Sequence, residues 1–181
     1  MAKSPPSLSR LDPIDEDDNV IAVIETSRDT RTKLTYEDKL GAFKVTKVLP
    51  QGMSFPFDFG FIPSTRGDDG DPLDVLVLID EPLPTGTVVP TRLVGVIEAQ
   101  QTERDGETNE NSRLIAVATD CQLFSDVKTL EDLPASVVEQ IEHFFVSYNE
   151  QAGKKFEPTG RQGPKRARKM VEKAMRKRAR R

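Results

Sequence analysis

The sequence predicts an α+β fold: a barrel or strongly curled sheet of short strands, followed by two main helices in the C-terminal half. Three observations predict it. Short β-branched runs separated by polar and Gly/Pro segments occupy residues 20–120, as in sheets whose strands are joined by tight connections. Apolar residues at spacings of three and four begin only after residue 130, which is helical periodicity. A chain of 181 residues is one domain by length and can bury a single core without staples.

The elements follow in order. Residues 1–19, "MAKSPPSLSRLDPIDEDDN", offer little to bury and read as a flexible N-terminal arm. Residues 20–181 form the one domain. "VIAVIET" (20–26) is a strand, and residues 33–49 are two strands around a Gly41 turn, the second alternating Phe43, Val45 and then Val48 with polar residues. "PLDVLVLI" (72–79) and "VVPTRLVGVIEA" (88–99) are strands separated by the turn "DEPLPTG"; "SRLIAVATD" (112–120) is another. In the first helix Val137, Val138, Ile141, Phe144, Phe145 and Tyr148 share a face. Asp132 is its expected N-cap, Pro134 suits its first turn and Gly153 its stop. His143 has no second histidine beside it and is read as surface or core edge, with metal ligation not expected. The basic C-terminal helix, 163–181, begins near Pro164 and places Ala167, Met170, Val171, Ala174 and Met175 on one stripe, which is expected to dock on the barrel.

Composition narrows the function. With 36% hydrophobic and 31% charged residues the chain is an ordinary globule. Cys121 is the only cysteine, so an intrachain disulfide and a cysteine-rich zinc site are excluded, and it is expected to be buried. No apolar run of signal-peptide or membrane-span length is present, so a cytoplasmic setting and no membrane partner are expected. The net charge of −4 conceals an asymmetry: residues 154–181 hold 13 Lys/Arg and 2 Asp/Glu, leaving 13 and 28 in residues 1–153. An acidic body suits cations and argues against nucleic acid as the main partner. The tail "PKRARKMVEKAMRKRARR" raises nucleic-acid binding again, but its apolar stripe favours a docked helix, with the basic face solvated or paired to the acidic body of a neighbouring subunit.

Asp68, Asp69, Asp71 and Asp74 lie in "GDDGDPLD". Asp and Gly favour tight turns, so a solvated turn is the plain reading. Asp74, however, sits between Leu73 and Val75 within a strand, where a carboxylate is costly without a partner. Pro72 stiffens the segment, so that Asp69, Asp71 and Asp74 converge at the strand's beginning as oxygen ligands for a hard cation. The calcium-hand spacing and the Gly-rich phosphate loop are both absent. Mg²⁺ fits, because it takes few carboxylates and is completed by water and phosphate oxygens.

"DGDPLDVLVL" together with "FPFDFGFIP" resembles the soluble family I inorganic pyrophosphatases, with similarity running from about Val20 to about Tyr148. The resemblance implies an OB-like five-stranded closed β-barrel flanked by helices. It also implies Mg²⁺-dependent cleavage of pyrophosphate to two phosphates, with Mn²⁺ or Co²⁺ as substitutes, and a homo-oligomer, commonly a hexamer. By similarity Asp69 and Asp74 are metal ligands, Asp71 orients or deprotonates water between two ions, and Glu25 lies near outer metals. Lys33 binds phosphate and Tyr148 donates a hydrogen bond to it. The chain departs from the family pattern at Thr35 (a glutamate), Lys47 (an arginine), Phe59 (a tyrosine), Gln101 and Asn111 (aspartates), Arg113 (a lysine) and Asn149 (a lysine).

These departures have physical consequences. Losing two carboxylates weakens the ions tied to the loop after residue 99, although Asn111 still offers a carbonyl oxygen, and Glu98, Glu103, Asp105 or Glu107 are candidate replacements. Lys47 and Arg113 keep positive charge for phosphate, and Lys154, Lys155, Arg161 and Arg166 are further candidates by charge. The alternative reading is therefore a weakened or retuned relative that binds phosphate or nucleotide or hydrolyses another phosphoanhydride.

Overall fold

The structure is a computed structural model that describes residues 7–179. Strands β1 (Val20–Thr26), β4 (Asp58–Ile62), β5 (Leu73–Leu78), β8 (Arg113–Ala118) and β6 (Val88–Thr102) pair in that order, and β6 pairs back with β1. Five strands thus close a ring, so no edge is left within it. The β5–β8 pairing is parallel and the others are antiparallel. Every residue of β1, β4 and β8 is buried. Their apolar side chains, with those of β5 and β6, form one continuous core that includes Ile24, Phe59, Leu76, Val96 and Ile115.

The ring's closure depends on two sequence features. At Gly60 in β4 an added Cβ would stand 1.9 Å from the Val23 carbonyl oxygen of β1, so only glycine lets the two strands approach this closely. The 15-residue β6 is long enough to pair with β1 and β8 in its first part and with β7 (Thr108–Glu110) and β9 (Lys155–Gln162) beyond. β2 (Thr32–Glu37) and β3 (Ala42–Val48) form a separate two-stranded ribbon. Helix α1 (Ala135–Glu150) buries Val138, Ile141 and Phe145, and α2 (Pro164–Ala179) lies on β6 with Ala167, Val171 and Ala174 buried.

Several expectations change in detail. β4, β7 and β9 were not read as strands. Asp132 caps a preceding 3-10 turn, accepting the Lys128 and Thr129 N–H groups at 2.9 and 2.8 Å, whereas Pro134 is the N-cap residue of α1. The expected N-terminal arm falls partly on residues 1–6, outside the described residues. Within the rest of it, Leu8–Arg10 form a 3-10 turn, and the Ser9 hydroxyl donates to Asp38 at 2.8 Å. His143 is exposed and Cys121 is buried.

Asp58, passed over in the sequence, organises the base of β4. Its side chain has no solvent exposure and accepts the Arg28 N–H at 2.7 Å and the Leu83 N–H at 3.0 Å. Asp58→Ala leaves two half-buried N–H donors without their acceptor and is expected to cost about 2 kcal/mol of stability. Asp58→Asn keeps one acceptor and costs less. Urea unfolding of the two variants checks the order.

Candidate active site

The aspartate turn between β4 and β5 is held from within. The Gly67 N–H donates to the Asp71 carbonyl at 2.7 Å, and the Asp71 N–H donates to Asp69 Oδ1 at 3.1 Å. Gly70 sits at φ +95°, a conformation that glycine adopts without strain. The buried Thr65 hydroxyl closes the turn, donating to the Ile62 carbonyl at 2.6 Å and accepting the Leu73 N–H at 3.0 Å. A stiff turn of this kind fixes the three carboxylates at one end of the barrel.

All nine residues singled out in the sequence (Glu25, Lys33, Lys47, Asp69, Asp71, Asp74, Asn111, Arg113 and Tyr148) line one cleft of about 940 Å³. One wall is acidic. Glu25 projects from β1, is 6% exposed and accepts the Tyr36 N–H at 2.7 Å. Burial pushes its carboxyl up to about 7, and the negative charges of Asp74 and Asp71 add to the effect. Burial likewise raises Asp69, with Asp71 and Asp74 contributing.

Cationic side chains line the same cleft. Lys47 Nζ lies 4.2 Å from the Tyr148 ring centroid and donates to the Tyr148 carbonyl at 3.1 Å. Lys33 Nζ lies 5.2 Å from the Phe59 ring and 5.5 Å from the Tyr148 ring. Burial first, then the charges of Lys33, Lys154 and Arg104, lowers the Lys47 pKa. The carboxylates repel one another, as do the lysines, so the cleft suits a bound cation and a bound anion together.

Arg113 has a different setting from the one its charge suggests. It is 4% exposed at the start of β8, beside Asp74 on the neighbouring parallel strand. Its Nη1 meets Asp74 Oδ2 at 2.7 Å and also donates to Asn111 Oδ1. The guanidinium lies 4.7 Å from the Phe145 ring and 5.4 Å from the Phe156 ring, and its Nε has no hydrogen-bond partner among the described residues. A polar chain continues outward. Asn111 Nδ2 donates to Gln101 Oε1 at 3.1 Å, Gln101 Nε2 donates to Glu103 Oε1 at 2.6 Å, and Lys154 Nζ meets Glu103 Oε2 at 2.7 Å. Two amides can hydrogen-bond directly where two carboxylates would need a cation between them.

The other candidates divide. Lys154 and Glu107 line the cleft. Lys155, Arg161 and Arg166 are paired elsewhere, with Glu157, Glu142 and Glu98. Asp105 accepts the Glu107 N–H at 3.0 Å within its own turn. The Asn149 side chain folds back to the Phe145 carbonyl at 2.8 Å, and Phe59, 2% exposed, packs against Phe55 and Phe145. Ser9, Asp38 and Arg178 also reach the cleft. No sequence signal marked them, because they come from the two ends of the chain and the β2–β3 ribbon.

The donor set fits a hard divalent cation, since Glu25, Asp69, Asp71 and Asp74 offer only carboxylate oxygens and the burial of Glu25 opposes its ionisation without one. Among the described residues no three such side chains form a ready-made cage, so cations would have to gather them. In metal-free protein, Glu25 is protonated when folded and ionised when unfolded over the interval from its ordinary 4.5 to about 7. Stability is therefore expected to fall as pH rises through that window, by about 3 kcal/mol in all. Urea unfolding in EDTA should show a shallower decline for Glu25→Gln, and equal slopes would refute the assignment.

The sequence profile described as inorganic pyrophosphatase matches residues 22–179. The inorganic pyrophosphatase of Thermus thermophilus is 40% identical over 133 residues, covering 74% of this chain and 73% of that one. That of Geobacillus stearothermophilus is 34% identical over 153 residues, 84% and 90% of the two chains. The crystal structure of a Thermus thermophilus inorganic pyrophosphatase superposes with a TM-score of 0.86 at 34% identity, covering 96% of this chain and 99% of that one. The Helicobacter pylori structure gives 0.83 at 32% identity, with 93% and 98% covered.

Proposed function

The chain belongs to the inorganic pyrophosphatase family, a hydrolase assignment, and from that premise we propose that it cleaves pyrophosphate to two phosphates within the cleft that its acidic and cationic side chains line. The observation that carries this reading is that one cleft gathers the carboxylates of Glu25, Asp69, Asp71 and Asp74 together with the ammonium groups of Lys33, Lys47 and Lys154. Asp69, Asp71 and Asp74 would hold Mg²⁺, with Glu25 behind them. Bound Mg²⁺ lowers the pKa of water and neutralises phosphate oxygens, and Mn²⁺ or Co²⁺ are chemically suited to the same donors.

The chain's own residues supply the rest. Lys33 and Lys47 bind the diphosphate and balance charge that builds on the leaving phosphate. The Tyr148 hydroxyl orients it by donating a hydrogen bond. Asp71, exposed at the cleft, takes the proton of the attacking water on its carboxylate. Arg113 holds Asp74 at 2.7 Å and so positions a ligand.

Because Asp74 is shared with a guanidinium, and Gln101 and Asn111 are bonded to each other, half-maximal activity is expected to need more Mg²⁺ than in a relative that has aspartates at those two positions. Phosphate release from pyrophosphate across parallel Mg²⁺ titrations tests both claims. No release with Mg²⁺, Mn²⁺ or Co²⁺ would sink the function, and equal metal requirements would sink the refinement. Family membership places pyrophosphate ahead of other phosphoanhydrides, and faster turnover of one of those in the same assay would reverse that order.

No helix among the described residues is long and apolar enough to cross a membrane. A cytoplasmic setting is the reading we favour, supported by Cys121 being a free, buried thiol. We also favour a homo-oligomer, up to a hexamer, since Leu40, Val45, Val48 and Leu123 expose between 57% and 75% of their surface and assembly would cover them. Light scattering on the purified protein measures its size directly.

A further inference from the structure

A second cavity lies between the aspartate turn and α2 and adjoins the cleft, with which it shares Asp69, Pro72, Asp74 and Asn111. It measures about 70 Å³, several times the ~10–15 Å³ that one water requires, which is room for a small oxyanion. Its cationic lining comes from Arg66 on the turn and from Arg166, Lys169, Lys173 and Lys177 on α2. Arg166 is paired with Glu98 and Lys177 with Asp68. Arg66, Lys169 and Lys173 have no carboxylate within 4.0 Å among the described residues.

Five basic side chains face four acidic ones in this lining, and none of the four forms an ion pair with these three. Asp68 is bound to Lys177 and Asp74 to Arg113, and Asp69 belongs to the metal-facing set, which leaves Glu110. The sequence adds to the imbalance, because Lys165, Lys169, Lys173 and Lys177 follow one another at i,i+4 spacing on one helix face. Like charges so spaced destabilise a helix unless an anion lies among them. Among the described residues only the last, Lys177, is paired with a carboxylate.

We propose that Arg66, Lys169 and Lys173 form a second anion site, for a single phosphate dianion, distinct from the catalytic cleft. Tetrahedral phosphate offers acceptor oxygens to donors arriving from both the turn and the helix. The site is wired to the catalytic aspartates. The Arg66 N–H donates to the Ala174 carbonyl at 3.2 Å, Lys177 bonds Asp68, and the Arg66 Nη2 lies 3.3 Å from where a Cβ of Gly70 would stand. A phosphate held there therefore touches the same short turn that carries Asp69 and Asp71, and product accumulating in solution reaches the turn without entering the cleft.

The test is equilibrium dialysis of orthophosphate with the full chain in EDTA, at ionic strength held constant with chloride, so that neither turnover nor metal enters. Lys169→Ala/Lys173→Ala should weaken binding at least tenfold, roughly the worth of one charge-assisted hydrogen bond. Both lysines are exposed and alanine favours helix, so the fold should survive, which an unchanged unfolding midpoint confirms. Lys169→Arg/Lys173→Arg should keep binding, as should the cleft variant Lys33→Ala. Loss in Lys33→Ala with retention in the double alanine variant would place the phosphate in the cleft and overturn the proposal. Wild-type protein that binds no phosphate would overturn it as well. Pyrophosphate hydrolysis is scored separately, so failure of one reading leaves the other standing.

Discussion

Asp71→Asn should lower kcat for pyrophosphate by about 10²–10⁴-fold, the range attached to a positioned general base, while leaving folding stability unchanged. The side chain of Asp71 is exposed and its carboxylate makes no hydrogen bond or ion pair among the described residues. The turn uses only its backbone, through Gly67 and Asp69. An amide of the same shape thus removes a proton acceptor and a metal-binding charge without disturbing the loop. Phosphate release paired with urea unfolding checks both halves. A variant within a factor of about two of wild-type kcat would show that Asp71 is not the base.

Asp74→Ala behaves differently, because Asp74 is both a proposed ligand and the partner of a buried cation. Removing it takes the charged acceptor from Arg113, whose side chain is 5% exposed. Breaking a fully buried pair costs about 3–5 kcal/mol. Here Asp74 is 27% exposed and Arg113 keeps Asn111 Oδ1 as an acceptor, so about 2–3 kcal/mol is the reasonable expectation after that discount. Activity should be lost as well, so this alanine variant confounds catalysis with folding. Asp74→Asn separates them: its amide oxygen still accepts from Arg113, and stability should stay near wild type while the metal requirement rises. If the alanine variant unfolds at the wild-type urea midpoint, Arg113 does not depend on Asp74.

The strands that carry the site were legible because their patterns are local. "VIAVIET" and "LDVLVL" are continuous apolar runs, and they appear as β1 and β5. β9, "KFEPTGRQ", contains proline, glycine and three charges and shows no alternation. It is a strand because β6 runs on past the ring and offers it an open edge from Val96 to Thr102. Proline is tolerated on such an edge strand. β4 was hidden by Gly60, whose role is to let β1 pass close by, a requirement set by a strand about forty residues away in sequence.

The sequence alone determined β1, β2, β3, β5, β6 and β8, the two helices, the apolar face of α2 and the gathering of Asp69, Asp71 and Asp74 at one strand's mouth, since periodicity and spacing act over a few residues. The tertiary structure decided which charges meet. Arg113 reads as a free phosphate donor until the parallel β5–β8 register sets it against Asp74, and Gln101 reads as a lost ligand until Asn111 is found bonded to it. Ladder register and ring closure bring together residues tens of positions apart, and no local pattern encodes which of them become neighbours.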